Sequence, residues 1–202
     1  MGRIWPRVNS WRLRVRVIAG KFRSRTLRSL PGIQIRPTSD RLRETLFDVL
    51  SAGDPNALIG SVWIDLFAGT GSVGIEAFSR GAAGVYFVES SRQAADLIRR
   101  NLNSLGISQG FEILQRDSSR AIAHLAAKAT QPDYIFLDPP YHLKSAYRDT
   151  LSSLADSLLA EHALVIAEHD KKFDPGEAFG VLRRSRKLEQ GDAALSFYRS
   201  KP

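Results

Sequence analysis

From Ser61 onward, short apolar runs alternate with longer amphipathic stretches. Val62–Leu66, Val85–Val88, Phe111–Leu114, Tyr134–Leu137 and Leu164–Ala167 are mostly apolar, as strands covered on both faces must be. Between them, Ser72–Arg80, Arg92–Leu105, Ser118–Ala129 and Ala146–Leu159 place apolar residues at helical spacing. This alternation predicts a doubly wound, mostly parallel, Rossmann-like α/β sheet. Val181–Leu188 and Ala194–Tyr198, separated by Gln190-Gly191-Asp192, predict a closing antiparallel hairpin and bring the sheet to seven strands.

Upstream, Arg14–Ile18 and Phe22–Leu27 alternate charged and apolar residues around Ala19-Gly20-Lys21. They predict a small N-terminal β-hairpin with a strongly basic face. Ser39 or Asp40 can cap a helix running to about Leu50, with Leu42, Leu46, Val49 and Leu50 as its buried stripe. The expected organisation is a poorly ordered basic leader over residues 1–13, a hairpin extension over 14–35 and the main domain over 36–202.

Charge changes this picture more than composition does. Residues 1–43 hold 12 Arg or Lys against the single acid Asp40, a net charge of +11, whereas the remaining 159 residues carry −3. Positive charge gathered at one end is what a nucleic-acid contact surface requires, and a solvated basic tail is the bland alternative. The absence of cysteine removes disulfides and thiolate metal sites from consideration. No apolar stretch approaches the roughly 18 residues of a membrane span, and no long apolar segment follows the basic N-terminus. A cytoplasmic protein without membrane contact is expected.

Two loops carry candidate chemistry. Asp65-Leu66-Phe67-Ala68-Gly69-Thr70-Gly71 follows the first strand, and Gly74 completes a G-x-G-x-x-G pattern. Glycine lets the backbone turn tightly and approach a ligand closely. Glu89 ends the second strand 20 residues after Gly69, where a ribose-binding acid belongs. NAD and S-adenosylmethionine both fit this much. Asp65 favours the latter, since an acid there can anchor an ammonium and would repel a pyrophosphate. Arg116-Asp117-Ser118, at the end of the third strand, is placed for an adenine amino group. Asp138-Pro139-Pro140-Tyr141 ends the fourth strand. Proline removes backbone donors and fixes φ, so the carbonyls stand as pinned acceptors beside the carboxylate and Tyr141 offers a flat face. A planar ring with an exocyclic amino group suits such a mouth, and hydride transfer has no use for it. His124, His142, His162 and His169 have no metal-ligand spacing and no evident nucleophile partner.

With these motifs the chain resembles class I S-adenosylmethionine-dependent methyltransferases of the Asp/Asn-Pro-Pro-Tyr/Phe amino-group type. More narrowly, it is similar to the RsmD-type bacterial 16S ribosomal RNA guanine-N2 methyltransferases. The resemblance spans about residues 14–200. Besides the two loops and Glu89, its carriers are Arg16-Val17-Ile18-Ala19-Gly20-Lys21, Ala194-Leu195-Ser196-Phe197-Tyr198-Arg199 and the more specific Arg36-Pro37-Thr38-Ser39-Asp40-Arg41-Leu42-Arg43-Glu44-Thr45-Leu46-Phe47.

The resemblance implies S-adenosylmethionine as cofactor, lined by Asp65, Phe67, Ala68, Gly69 and Gly71. Glu89 then accepts the ribose hydroxyls, and Asp117 or Ser118 meets adenine. Asp138 and the Pro139 carbonyl hold the guanine N2 amino group, Pro140 stiffens the turn and Tyr141 stacks on the base. Arg36, Arg41 and Arg43 flank the cofactor mouth and meet RNA phosphate or the cofactor edge, and Arg16, Lys21, Arg23 and Arg25 meet RNA. The implied partner is 16S rRNA within a small-subunit assembly particle, approached by a monomer that needs no metal. Removing residues 1–28 is expected to abolish RNA affinity and leave the cofactor site largely intact. An N6-adenine methyltransferase and a non-catalytic RNA-binding module are the competing readings.

Overall fold

The computed structural model describes residues 15–29, 39–140, 143–160 and 162–201. The leader over 1–13, Arg14, Arg36, Tyr141 and His142 lie outside the described residues.

The strands are β1 (Val62–Leu66), β2 (Gly84–Val88), β3 (Phe111–Leu114), β4 (Tyr134–Leu137), β5 (Leu164–Asp170), β6 (Ala178–Phe179), β7 (Leu182–Gln190) and β8 (Ala193–Ser200). The helices are α1 (Asp40–Ser51), α2 (Ser72–Ser79), α3 (Arg92–Ser104), α4 (Ser118–Ala127) and α5 (Lys144–Ser157). All strands join one sheet in the order β3-β2-β1-β4-β5-β8-β7-β6. β1 to β5 run parallel, and β8, β7 and β6 are added antiparallel. Among the described residues the sheet has eight strands rather than the seven expected. The extra one, β6, is only two residues long and pairs at the edge with Leu182 and Arg183, too short to leave a periodicity.

Side chains alternate across the sheet, so each parallel strand feeds two cores. Trp63, Val85, Phe87, Phe136 and Ile166 face the layer that contains α1, α2 and α3. Ile64, Val88, Ile135, Leu137 and Val165 face α4 and α5. The closing hairpin turns through Gly191, at φ 61°, between Gln190 and Ala193.

The basic segment is smaller as secondary structure and larger as packing than its alternation predicts. Among the described residues its paired portion is an isolated antiparallel bridge, Arg16 with Thr26, flanked by Val17 N–H to Arg25 O and Leu27 N–H to Val15 O and closed through a 3₁₀ turn at Gly20–Phe22. Val15, Val17 and Leu27 are buried in the same core as α1, α2 and α3. Glu76 of α2, fully buried, accepts the Ile18 N–H at 2.7 Å and the Ala19 N–H at 3.0 Å. A Cβ on Gly20, at φ +76°, would sit 1.8 Å from the Ser79 carbonyl oxygen, so only glycine lets the turn close against α2. Residues 15–29 are therefore built into the domain, and their removal would open its core.

Candidate active site

In an open α/β sheet the ligand crevice lies beyond the carboxyl ends of the strands where strand order reverses. Here that is the junction of β1 with β4. Leu66 pairs with Leu137, so the loops after β1 and β4 leave the sheet side by side.

The β1 loop is wound tightly. The Ala68 N–H donates to Val88 O at 2.9 Å, and the Gly71 N–H donates back to Ala68 O at 2.7 Å. Phe67, Gly69 and Gly71 all have positive φ, at 65°, 55° and 78°. For Phe67 this is an uncommon backbone state, held by the surrounding turn. Gly74 serves packing: a Cβ there would lie 2.4 Å from the Phe87 ring.

Asp65 is buried, and its Oδ2 accepts the Gly74 N–H at 2.9 Å. Burial pushes its pKa from 3.8 up to about 7; the Gly74 N–H opposes the rise and the nearby Glu89 charge adds to it. A buried carboxylate so poorly compensated suits a cation. Glu89 reaches across to the glycine loop, taking the Gly69 N–H at 2.9 Å on Oε2 and the Ser91 N–H at 2.7 Å on Oε1. Each carboxylate oxygen can accept twice, so this geometry holds the loop and retains acceptor capacity for hydroxyls. These features fit a nucleoside that carries an ammonium.

Asp117 is the N-cap of α4, accepting the Arg120 N–H at 2.9 Å. The Ser118 hydroxyl lies 3.3 Å from that of Thr150. Both stand at the carboxyl end of β3, on the crevice side. After β4, Asp138 is half-buried, Pro139 buried and Pro140 exposed. The Leu143 N–H closes this turn on Pro140 O at 2.8 Å. Beneath it lies Tyr147, whose hydroxyl donates to Glu168 O at 2.8 Å and stands 3.5 Å from Pro139 O. Tyr147 thus ties the motif to the end of β5. Its position with Leu151 and Leu154 on one helical stripe was the available signal: a tyrosine buried there needs a hydroxyl partner.

Among the described residues, the predicted RNA residues divide into one that is buried and several that are exposed. Arg43 is fully buried, which corrects its assignment as a phosphate contact. It donates to the Arg16 carbonyl, bonds Asp40 at 3.0 Å and lies 3.9 Å from Glu76. A buried carboxylate requires a nearby cation, and Arg43 and Arg80 supply it. Burial lowers the Arg43 pKa from its usual value, against the pull of both acids. Arg16 pairs with Asp40 at 3.1 Å, and Arg41 is exposed on the first turn of α1. The turn that bears Lys21, Arg23 and Arg25 packs on Ser79, the last residue of α2, and Arg25 bonds the carbonyl of Ser104, the last of α3. The turn therefore packs where α2 and α3 end.

Asn101 of α3 was also missed. Buried within an otherwise apolar stripe, it bonds the backbone of Arg28 and donates to Thr70 O of the glycine loop at 2.9 Å.

Sheet order, crevice and paired loops define the architecture of α/β methyltransferases. The Escherichia coli structure described as "Putative methyltransferase yhhF" superposes with a TM-score of 0.77 at 26% identity, covering 93% of this chain and 98% of that one. The profile of the family described as "Conserved hypothetical protein 95", the RsmD family, matches residues 15–199, and the chain belongs to that family. It is 33% identical to the Bacillus subtilis (strain 168) "Putative rRNA methyltransferase YlbH" over 93% of this chain and all of that protein. It is 34% identical to "Ribosomal RNA small subunit methyltransferase D" of Escherichia coli (strain K12) over 77% of this chain and 75% of the relative.

Proposed function

We propose that this protein transfers a methyl group from S-adenosylmethionine to the exocyclic N2 of a guanine in 16S rRNA, within a small-subunit particle. The register of β1 and β4 supports this reading above all. It sets the glycine loop and Asp138-Pro139 next to each other, so a cofactor on one loop faces an amino group on the other. The names carried by the relatives at 33% and 34% identity agree with ribosomal RNA as substrate.

In this reading Asp65 pairs with the cofactor ammonium, Glu89 takes the ribose hydroxyls, and Asp117 or Ser118 meets the adenine edge. The bound cofactor supplies a methyl carbon attached to a positively charged sulfur, which leaves with the bonding electron pair. Asp138 and the Pro139 carbonyl accept the two N–H bonds of the target amino group and aim its lone pair along the line of displacement. Tyr147 holds the Pro139 turn from below, and Tyr141 stacks on the base. The alkylated nitrogen then sheds a proton, so no strong base is required. A paired base cannot reach this crevice, so the target nucleotide is splayed out of its helix.

The test is methyl transfer from labelled cofactor to small-subunit RNA, free and as a particle, with the product nucleoside identified. N2-methylguanosine is expected. N6-methyladenosine would shift the assignment to the adenine enzymes, and no incorporation into any small-subunit RNA would sink it.

A further inference from the structure

Lys21, Arg23 and Arg25 sit on a turn docked against the last residues of α2 and α3, and the described residues hold further cations beside the crevice. A cavity of about 190 Å³ is lined by Lys144, Tyr147, Asp170, Lys172 and Phe173. Lys144 opens α5 directly after the motif, and Asp170 ends β5, so the cavity opens on the same edge as the crevice. Tyr147 joins the two, lining the cavity while its hydroxyl stands 3.5 Å from Pro139 O.

The lysines here are not explained by the fold. Lys144 Nζ lies 5.5 Å from the centroid of the Phe173 ring, which holds the ammonium at the cavity wall. A cation at the first position of a helix opposes the helix dipole, and the first turn of α5 contains no acid to offset it. Lys172 is exposed, and its N–H is fixed by Asp170 Oδ1 at 2.8 Å. Among the described residues, neither ammonium has a carboxylate within 4.0 Å, whereas the adjacent Lys171 is paired with Asp192 at 3.4 Å. Two lysines against the one carboxylate of Asp170 leave the cavity positive.

We propose that Lys144 and Lys172 form a phosphate subsite for the RNA nucleotide adjoining the target base. The inference rests on the RNA methyl transfer proposed above. A base drawn into the Asp138-Pro139 mouth brings its own backbone past the corner between α5 and the end of β5. Phosphate bound there fixes how deeply the nucleotide enters and on which side its neighbour leaves. Lysine suits this task as a mobile point charge that tolerates either phosphate orientation. Asp170, an acceptor beside two cations, is placed to receive a ribose hydroxyl while repelling a second phosphate.

The test compares K144A/K172A and K144R/K172R with the parent protein and with K128A, which removes a lysine paired with Glu112. Methyl transfer to small-subunit RNA is measured across a salt series, and cofactor affinity by calorimetry. K144A/K172A should raise KM for RNA at least about tenfold and reduce the salt slope by about one, with kcat and cofactor affinity within about twofold of the parent. K144R/K172R should recover most of the KM, and K128A should match the parent. An unchanged KM and slope in K144A/K172A would overturn the subsite. So would a loss of kcat or cofactor affinity without a change in KM, which would make the pair structural. Failure of the underlying reading is distinct, since the parent protein itself would then transfer no methyl group to RNA.

Discussion

Asn101 grips the backbone of Arg28 from both sides, accepting its N–H at 2.8 Å and donating to its carbonyl at 3.2 Å. The same side-chain nitrogen donates to Thr70 O at 2.9 Å. One buried amide therefore joins the basic segment to the glycine loop. Asn101→Leu should remove all three bonds and leave buried backbone groups unpaired, at about 1–3 kcal/mol each where water cannot replace them. Denaturant unfolding should register the loss, and cofactor affinity should fall with it. Unchanged affinity in a destabilised variant would mean the loop holds its shape without the clamp.

Glu76 anchors the same segment. Glu76→Ala would leave the buried Arg43 without one of its two acids and the Ile18 and Ala19 N–H groups without an acceptor. Breaking a buried ion pair in this way costs about 3–5 kcal/mol. Deletion of residues 1–28 should be comparably severe, because it strips Val15, Val17 and Leu27 from the core. The truncated protein should unfold at lower denaturant and lose cofactor binding along with RNA binding. This reverses the expectation of an intact cofactor site, and calorimetry on the truncated chain checks it.

Asp65 makes stability depend on pH with a definite sign. In the unfolded chain its carboxyl releases its proton near 3.8, whereas burial holds the proton to about 7 in the folded protein. Its contribution to stability is therefore fully present below about pH 4 and is lost as pH rises through about 7. Asp65→Asn, neutral throughout, should flatten that slope and be more stable than the parent above pH 7, by up to about 4 kcal/mol. It should also bind S-adenosylmethionine more weakly, since the ammonium loses its counter-charge. Unfolding curves at pH 5 and pH 8 measure the first effect and calorimetry the second; a variant no more stable at pH 8 would disprove the buried-charge account.

Asp138 and Tyr147 should separate chemistry from support. Asp138→Ala removes an acceptor of the target amino group, so kcat should drop by about 10²-fold or more while cofactor affinity stays near that of the parent. Tyr147→Phe keeps the ring and loses the hydroxyl that donates to Glu168 O and approaches Pro139 O, at about 1 kcal/mol of stability. Its kcat should fall less, through a looser Pro139 turn. Single-turnover methyl transfer with saturating cofactor distinguishes the two, and wild-type turnover in Asp138→Ala would remove it from the site.

Local chemistry made much of this protein legible from its sequence. Strand and helix alternation follows from side-chain period, so β1 to β5 and the helices between them stand close to where the pattern sets them. The glycine loop and the Asp138-Pro139-Pro140 turn are local too, because φ restrictions belong to the residues themselves. Tertiary structure decided the rest. Arg43 reads as one more surface arginine until Glu76, 33 residues away, is buried beside it and requires a cation. Lys21, Arg23 and Arg25 stay exposed, but where their turn sits is fixed only by its bonds to Ser79 and Ser104. Tyr147 and Asn101 look like core positions until their polar atoms meet Glu168, Arg28 and Thr70. In each case the deciding partner is distant in sequence, and burial makes the pairing compulsory because an unpaired polar group out of water costs more than the contact returns.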